Sequence, residues 1–133
     1  QQIKVYKHWR KTLQYGRFYR GTHGNITQWT CVSRDGKKAV GLIAQKLAQA
    51  NFQYHCYKAK GLLAEAKYDF SNTARLDSGE EIRFDTEKQD TRTSGSVLMN
   101  SGVKLNHAYS GTGENENTRA FYDFATRMYF MEV

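Results

Sequence analysis

Residues 26–45 read ITQWTCVSRDGKKAVGLIAQ. The first nine, Ile26–Arg34, are dense in β-branched and aromatic side chains, which favour a pleated, half-buried surface. Asp35-Gly36 follows, then Lys37-Lys38, then the apolar run Ala39–Ala44. Two strand-like runs joined around Asp-Gly are a strong short-range signal for a β-hairpin. That hairpin sets the expectation of antiparallel β structure for the whole chain.

Working outward, the pattern repeats in shorter pieces. Arg17–Arg20 suits a short strand. Residues 52–58 alternate, with Phe52, Tyr54 and Cys56 on one face and Gln53, His55 and Tyr57 on the other. Residues 66–70 predict a strand, and Ile82-Arg83-Phe84 a brief one after a turn at Ser78-Gly79. Residues 96–105 predict a short helical turn that stops near Gly102. Residues 106–119 read as loop. The last run, Ala120–Val133, predicts a closing strand with Tyr122, Phe124, Thr126, Met128 and Phe130 on its apolar face and Asp123, Ala125, Arg127 and Tyr129 on a more polar one. Only the N-terminus is different. Ile3, Tyr6, Trp9 and Leu13 recur at spacings of three and four, the stripe of an amphipathic helix over 3–15. Gly16 then stands where a left-handed cap is wanted. The sum is a mainly β fold: an antiparallel, Greek-key-like β-sandwich with one short N-terminal helix. A helix this short is marginal in water, so its stripe must dock on something.

Composition narrows the function. The chain has 133 residues, 14% of them aromatic, and no proline. That is one domain with enough apolar side chains for a core. It opens on Gln1 rather than Met, which reads as part of a longer product. No apolar stretch is long enough to span a bilayer, and no signal peptide is legible, so neither a membrane nor export is expected. Cys31 and Cys56 form no C-x-x-C pair, which points to a reducing, cytoplasmic setting. The formal net charge is +7. Residues 1–67 carry 13 Lys and Arg against 2 Asp and Glu, whereas residues 68–133 carry 7 against 11. The basic residues are spread out and belong to no nucleic-acid-binding motif, so a solvated face, or one complementary to an acidic neighbour, is expected rather than nucleic acid.

Residues able to carry chemistry do not converge. Glu80-Glu81, Asp69 and Asp123 are the obvious carboxylates, but each has an ordinary surface or hydrogen-bonding explanation. His8, His23, His55 and His107 are scattered, and no metal or cofactor is expected. His55 and Cys56, as strand neighbours, point to opposite faces and cannot pair for catalysis. Gly111-Thr112-Gly113 lacks the Lys-Ser/Thr of a phosphate loop. Exposed aromatics such as Phe18, Tyr19 and Trp29 leave a carbohydrate-binding module as an alternative.

Three segments together resemble a known family. Tyr6–Arg20, YKHWRKTLQYGRFYR, resembles the passage of glycoside hydrolase family 36 α-galactosidases in which a helix ends in R-x-x-x-Q-x-G-x-F-Y-R. Ser94–Leu105, SGSVLMNSGVKL, is similar to the family's Y-S-G-D-x-L-M-N-x-G-L-x-L element. Tyr122–Phe130, YDFATRMYF, is similar to its closing G-D-F-x-S-x-x-F strand. Departures are local: Thr93 for Tyr, Ser96 for Asp, Tyr122 for Gly, and Gly21–Gly24 where a proline is common. The resemblance implies the C-terminal β-sandwich domain over 17–133, with 1–16 as the last helix of the preceding (β/α)8 barrel. It places the catalytic aspartates in that barrel, so no catalytic residue is carried over. The parent enzyme would hydrolyse terminal α-galactosides such as melibiose and raffinose with retention. The implied partner is the barrel, with homo-oligomer contacts also in view. Ile3, Tyr6, Trp9, Leu13, Phe18 and Tyr19 become the candidate interdomain contacts, and the helix stripe is expected to be exposed in the chain alone.

Overall fold

A computed structural model describes residues 1–47, 56–83, 88–105 and 124–133. The elements run α1 (Gln2–Tyr15), β1 (Arg17–His23), β2 (Ile26–Val32), β3 (Lys38–Gln45), β4 (Cys56–Tyr57), β5 (Lys67–Ser71), β6 (Thr73–Arg75), β7 (Glu81–Arg83), β8 (Asp90–Ser94), α2 (Gly95–Asn100), β9 (Val103–Lys104) and β10 (Thr126–Glu132). Six strands form one antiparallel sheet in the order β1-β2-β3-β10-β5-β8, and two ribbons, β4-β9 and β6-β7, accompany it. The mainly β, antiparallel class with an N-terminal helix is the one expected.

The decisive hairpin is β2–β3, with Val32 opposite Ala39. Its turn explains the Asp-Gly pair. The Asp35 carboxylate accepts from the Ser33 hydroxyl at 2.6 Å and the Lys37 N–H at 3.0 Å. The Ser33 hydroxyl, then the Lys37 N–H, hold the Asp35 carboxyl below its ordinary range. Gly36 takes a φ of +75°, which an L side chain resists. The Tyr68 hydroxyl donates to the Gly36 carbonyl at 2.5 Å, which ties this turn to β5.

Because successive strand side chains point to opposite faces, each strand feeds two cores. On one face Val32, Ala39, Ile43, Tyr68, Phe70 and Tyr129 pack under Tyr57 of β4 and Leu98 of α2. Phe70 and Tyr129 stack there at 4.6 Å between ring centres. On the other face Val40 and Phe130 meet Ala74 and Ile82 of the β6-β7 ribbon, and Val5 and Trp9 of α1. Trp9 lies 5.2 Å from Phe130, centre to centre.

Several expectations change. The closing strand is shorter than Ala120–Val133: its described part is Thr126–Glu132, and Phe124 has a φ of +59° outside it. Its second face is not polar, because Tyr129 and Met131 fill the larger core. β10 is central, flanked by β3 and β5, so both its faces are covered. The strands β6 and β8 were not anticipated. β8, reading DTRTS, is an edge strand whose polar side chains give no apolar alternation. Of the expected strand 52–58, residues 56–58 are described and Cys56–Tyr57 is strand, while the loop 106–119 lies outside the described residues. α2 stops as expected: Gly102 has a φ of +75° and its N–H bonds the Val97 carbonyl at 2.9 Å.

Gly16 is not a left-handed cap. Its φ is −74° and ψ 175°, an extended conformation open to any residue. Glycine is required there by space. A Cβ would sit 2.5 Å from the Val32 carbonyl oxygen and closer still to that of Thr12. Helix and sheet backbones approach each other at this point, with the Gly16 N–H bonded to the Thr12 carbonyl at 2.9 Å.

Candidate interdomain surface

α1 lies on the sheet with Val5, Trp9 and Thr12 buried. At about 100° per residue these three share one side of the helix. The expected stripe is therefore rotated. Trp9 belongs to it but is only 1% exposed, taken up by the chain's own core rather than left open. Lys38 Nζ sits 5.5 Å above its ring. Ile3 and Tyr6 do remain in the open, at 70% and 44%. Leu13 is half-buried at the helix flank. Phe18, opposite Cys31 on β2, is 60% exposed on the face that carries α1, its ring 5.6 Å from Trp29. Tyr19 points to the opposite face, where its ring closes over Gly61, so it is separate from the other five.

One flank of α1 opens into an apolar cleft of about 460 Å³ between Tyr6 and Leu13 on the helix and Trp29, Leu42 and Met128 on the sheet. The sequence reading missed the sheet side of it. The signal was present: Trp29, Leu42 and Met128 share the pleat face of Val40 and Phe130, but only the pairing register brings them together. The other flank, of about 590 Å³, is lined by Lys11, Arg34, Lys37 and Lys38 around Ser33 and Asp35. Arg34 donates there to the Tyr15 carbonyl at 3.1 Å. Lys7 and Arg10 are exposed on the crest between the two flanks.

Charge is unevenly compensated. Acidic groups of the second half are tied up close by: Asp69 with Arg92 at 2.7 Å, Glu81 with Arg75 at 3.2 Å, and Asp90 with Lys88 at 3.2 Å and Arg75 at 3.3 Å. Burial pushes the Asp90 carboxyl up. The Ser71 hydroxyl, Lys88 and Arg75 outweigh it, so the group ends below its ordinary range. Around α1, Lys4 meets Glu80 and Lys38 meets Glu132. Among the described residues, Lys7, Arg10, Lys11 and Lys37 form no ion pair.

Nothing in this arrangement resembles a reaction centre. Asp69, Glu80 and Glu81 are the ion-pair members just described, and Asp123 lies outside the described residues, as do His55, His107 and Gly111–Gly113. His8 sits on α1, with Nδ1 3.5 Å from Asp77. The Cys31 thiol is buried and donates to the Thr12 carbonyl at 3.1 Å, and its burial pushes the thiol pKa up, away from reactivity. Among the described residues, no group of three or more His, Cys, Asp or Glu could hold a metal. No helix among them is long and apolar enough to cross a membrane.

The described residues thus form a mainly β domain with an apolar cleft beside a basic helix crest, and no acid–base pair converges among them. Residues 26–131 match the glycosyl hydrolase family 36 C-terminal domain. The chain belongs to that family. Its structure is similar to an α-galactosidase of family 36 from Geobacillus stearothermophilus in complex with raffinose, at 26% identity and a TM-score of 0.69, covering 98% of this chain and 15% of that one. A second enzyme from that organism matches at 27% and 0.69, over 98% of this chain and 14% of its own. An α-galactosidase from Lactobacillus brevis matches at 26% and 0.66, over 98% and 15%. The chain thus spans about 15% of the length of these structures. No curated protein matches.

Proposed function

We propose that the chain works as the non-catalytic C-terminal domain of an α-galactosidase, packed against the catalytic domain of a longer polypeptide. The observation that carries this is the coverage: nearly the whole chain superimposes on a small part of α-galactosidases, and that part is the family's C-terminal domain. The separation of charge and chemistry supports it. Asp69, Glu80, Glu81, Asp90 and Glu132 are absorbed in ion pairs, while apolar side chains of α1 and β1 stand in solvent. In this reading α1 serves both modules. It donates Val5 and Trp9 to the β domain and offers Ile3 and Tyr6 to the catalytic one. The longer enzyme acts on terminal α-galactosides of the raffinose type. The free thiols of Cys31 and Cys56 fit a reducing, cytoplasmic setting.

The test is turnover of 4-nitrophenyl α-galactoside by the purified 133-residue chain. None is expected. Saturable release of nitrophenol that tracks the chain through purification overturns the reading.

A further inference from the structure

On the sheet face away from α1, we infer a binding site for a phosphoryl group, free or carried on a monosaccharide, built from Tyr19 and Gly21 of β1 with Lys58 and Lys60. It goes beyond the interdomain role and does not depend on it. The register sets Tyr19 opposite Thr30 and Gly21 opposite Gln28, so these four share one pleat face. Residues 57–61 are fastened along that face. Gln28 donates from Nε2 to the Cys56 carbonyl at 3.2 Å and accepts from the Lys58 N–H at 2.9 Å, and the Lys60 N–H donates to Thr30 Oγ1 at 3.3 Å. Ala59 is buried in the core. Lys58 and Lys60, on either side of it in sequence, are exposed and line one cleft of about 200 Å³ with Tyr19, Gly21, Gln28 and Thr30.

Gly21 is what opens this cleft. It has no positive φ, so its backbone does not call for glycine. Packing does not call for it either: a Cβ there would meet only the flexible end of Lys60, with Nζ at 3.0 Å. Glycine inside a strand weakens it and marks a place where a ligand comes close to the backbone. The Lys60 ammonium thus stands over a shelf that has no side chain of its own. Two ammonium groups beside that shelf select an anion, and lysine serves phosphate as a point charge. The cleft is smaller than the roughly 300–1,000 Å³ of sites for drug-sized ligands, which limits the occupant to a phosphate ion or a small ester of it. The half-buried Tyr19 ring, seated over Gly61, offers a sugar ring an apolar wall.

The experiment titrates the 133-residue chain with inorganic phosphate, galactose 6-phosphate and galactose, followed by amide NMR shifts. Both phosphates should saturate with a Kd of about 1 mM or tighter and move the amides of Gly21, Lys58 and Lys60 most, whereas galactose should move none. Tighter binding of the ester than of the free ion places the sugar on Tyr19, and equal binding shows that the site reads the phosphoryl group alone. K60Q, and Gly21→Val, which fills the shelf with a residue suited to a strand, should each weaken both phosphates by about tenfold. K67Q removes an exposed charge on β5 instead and should change binding less than about twofold. Unchanged circular dichroism shows that the variants fold. Absence of saturation, an equal response to galactose, or an equal loss in K60Q and K67Q overturns the inference. The proposed function rests on other residues and stands in each of those cases.

Discussion

Replacing Gly41 with alanine tests whether the β2–β3 hairpin is locked to the rest of the fold by one tyrosine. Gly41 sits in β3, facing Tyr57. A Cβ built there lies 2.9 Å from Tyr57 Cε1 and closer still to Cζ and Oη. Carbon atoms want about 3.5–4.0 Å, so the ring must retreat by about 1.5 Å. It has little room. It is 1% exposed, with ring centres of Tyr129 at 5.4 Å and Phe70 at 6.2 Å. Its hydroxyl lies 2.6 Å from Thr30 Oγ1 and 3.2 Å from the Trp29 carbonyl. Overpacking costs about 1–3 kcal/mol. A buried hydrogen bond broken by the retreat costs about 1–3 kcal/mol more. Against this, alanine narrows the unfolded ensemble and returns about 0.4–1 kcal/mol. The net expectation is a loss of about 1–6 kcal/mol, a large share of the roughly 5–15 kcal/mol of a small domain. Urea unfolding reads it as a fall in midpoint at constant slope. Gly21→Ala is the companion. Its Cβ would meet only the flexible end of Lys60, at 3.0 Å, so it should stay within about 1 kcal/mol of wild type. A Gly41→Ala variant as stable as Gly21→Ala refutes the packing argument.

Trp9→Ala should cost about 3–5 kcal/mol, because a buried aromatic leaves a cavity between α1 and Phe130; a single cooperative transition in urea would show helix and sheet failing together, and a loss under about 1 kcal/mol would show that α1 is not part of this core. Gly16→Ala should destabilise although its backbone angles suit alanine, since the methyl strikes the Val32 and Thr12 carbonyls, and a thermal melt unchanged from wild type would contradict that. Burial, with Tyr129 adding and the Thr30 contact opposing, lifts the Tyr57 phenol far above its ordinary pKa. The folded state then keeps a proton that the unfolded chain releases, so stability is full below about pH 10 and falls as pH rises above it. Tyr57→Phe should flatten that alkaline decline, as followed by urea midpoints against pH.

What the sequence could show depended on how local the determinant was. The Asp35-Gly36 turn was legible because Ser33, Asp35 and Gly36 make its bonds within a few residues. Gly102 was legible for the same reason. Gly16 was read as a glycine wanted for its conformation, but the reason lies in Val32, which folding brings to it. The stripe of α1 was ambiguous in principle. Trp9 belongs both to the set Ile3, Tyr6, Leu13 and to the set Val5, Thr12, and the sheet beneath chose the second. The polar face assigned to the last strand failed because β10 is inserted between β3 and β5, a fact of topology that alternation does not carry. At the candidate surface, Ile3 and Tyr6 were legible from the helical spacing of the stripe, and Phe18 through the family resemblance. Trp29, Leu42 and Met128 were missed because three strands must be in register before they form one wall.

The central claim is that this domain does no chemistry of its own and exists to bind a catalytic domain. Sedimentation velocity of the chain mixed with the catalytic domain of its enzyme, each produced separately, tests it most directly. The prediction is one faster species of one-to-one composition, carrying all the α-galactosidase activity that the catalytic domain brings. Two independent boundaries at micromolar concentration, with the chain sedimenting as it does alone, would contradict it.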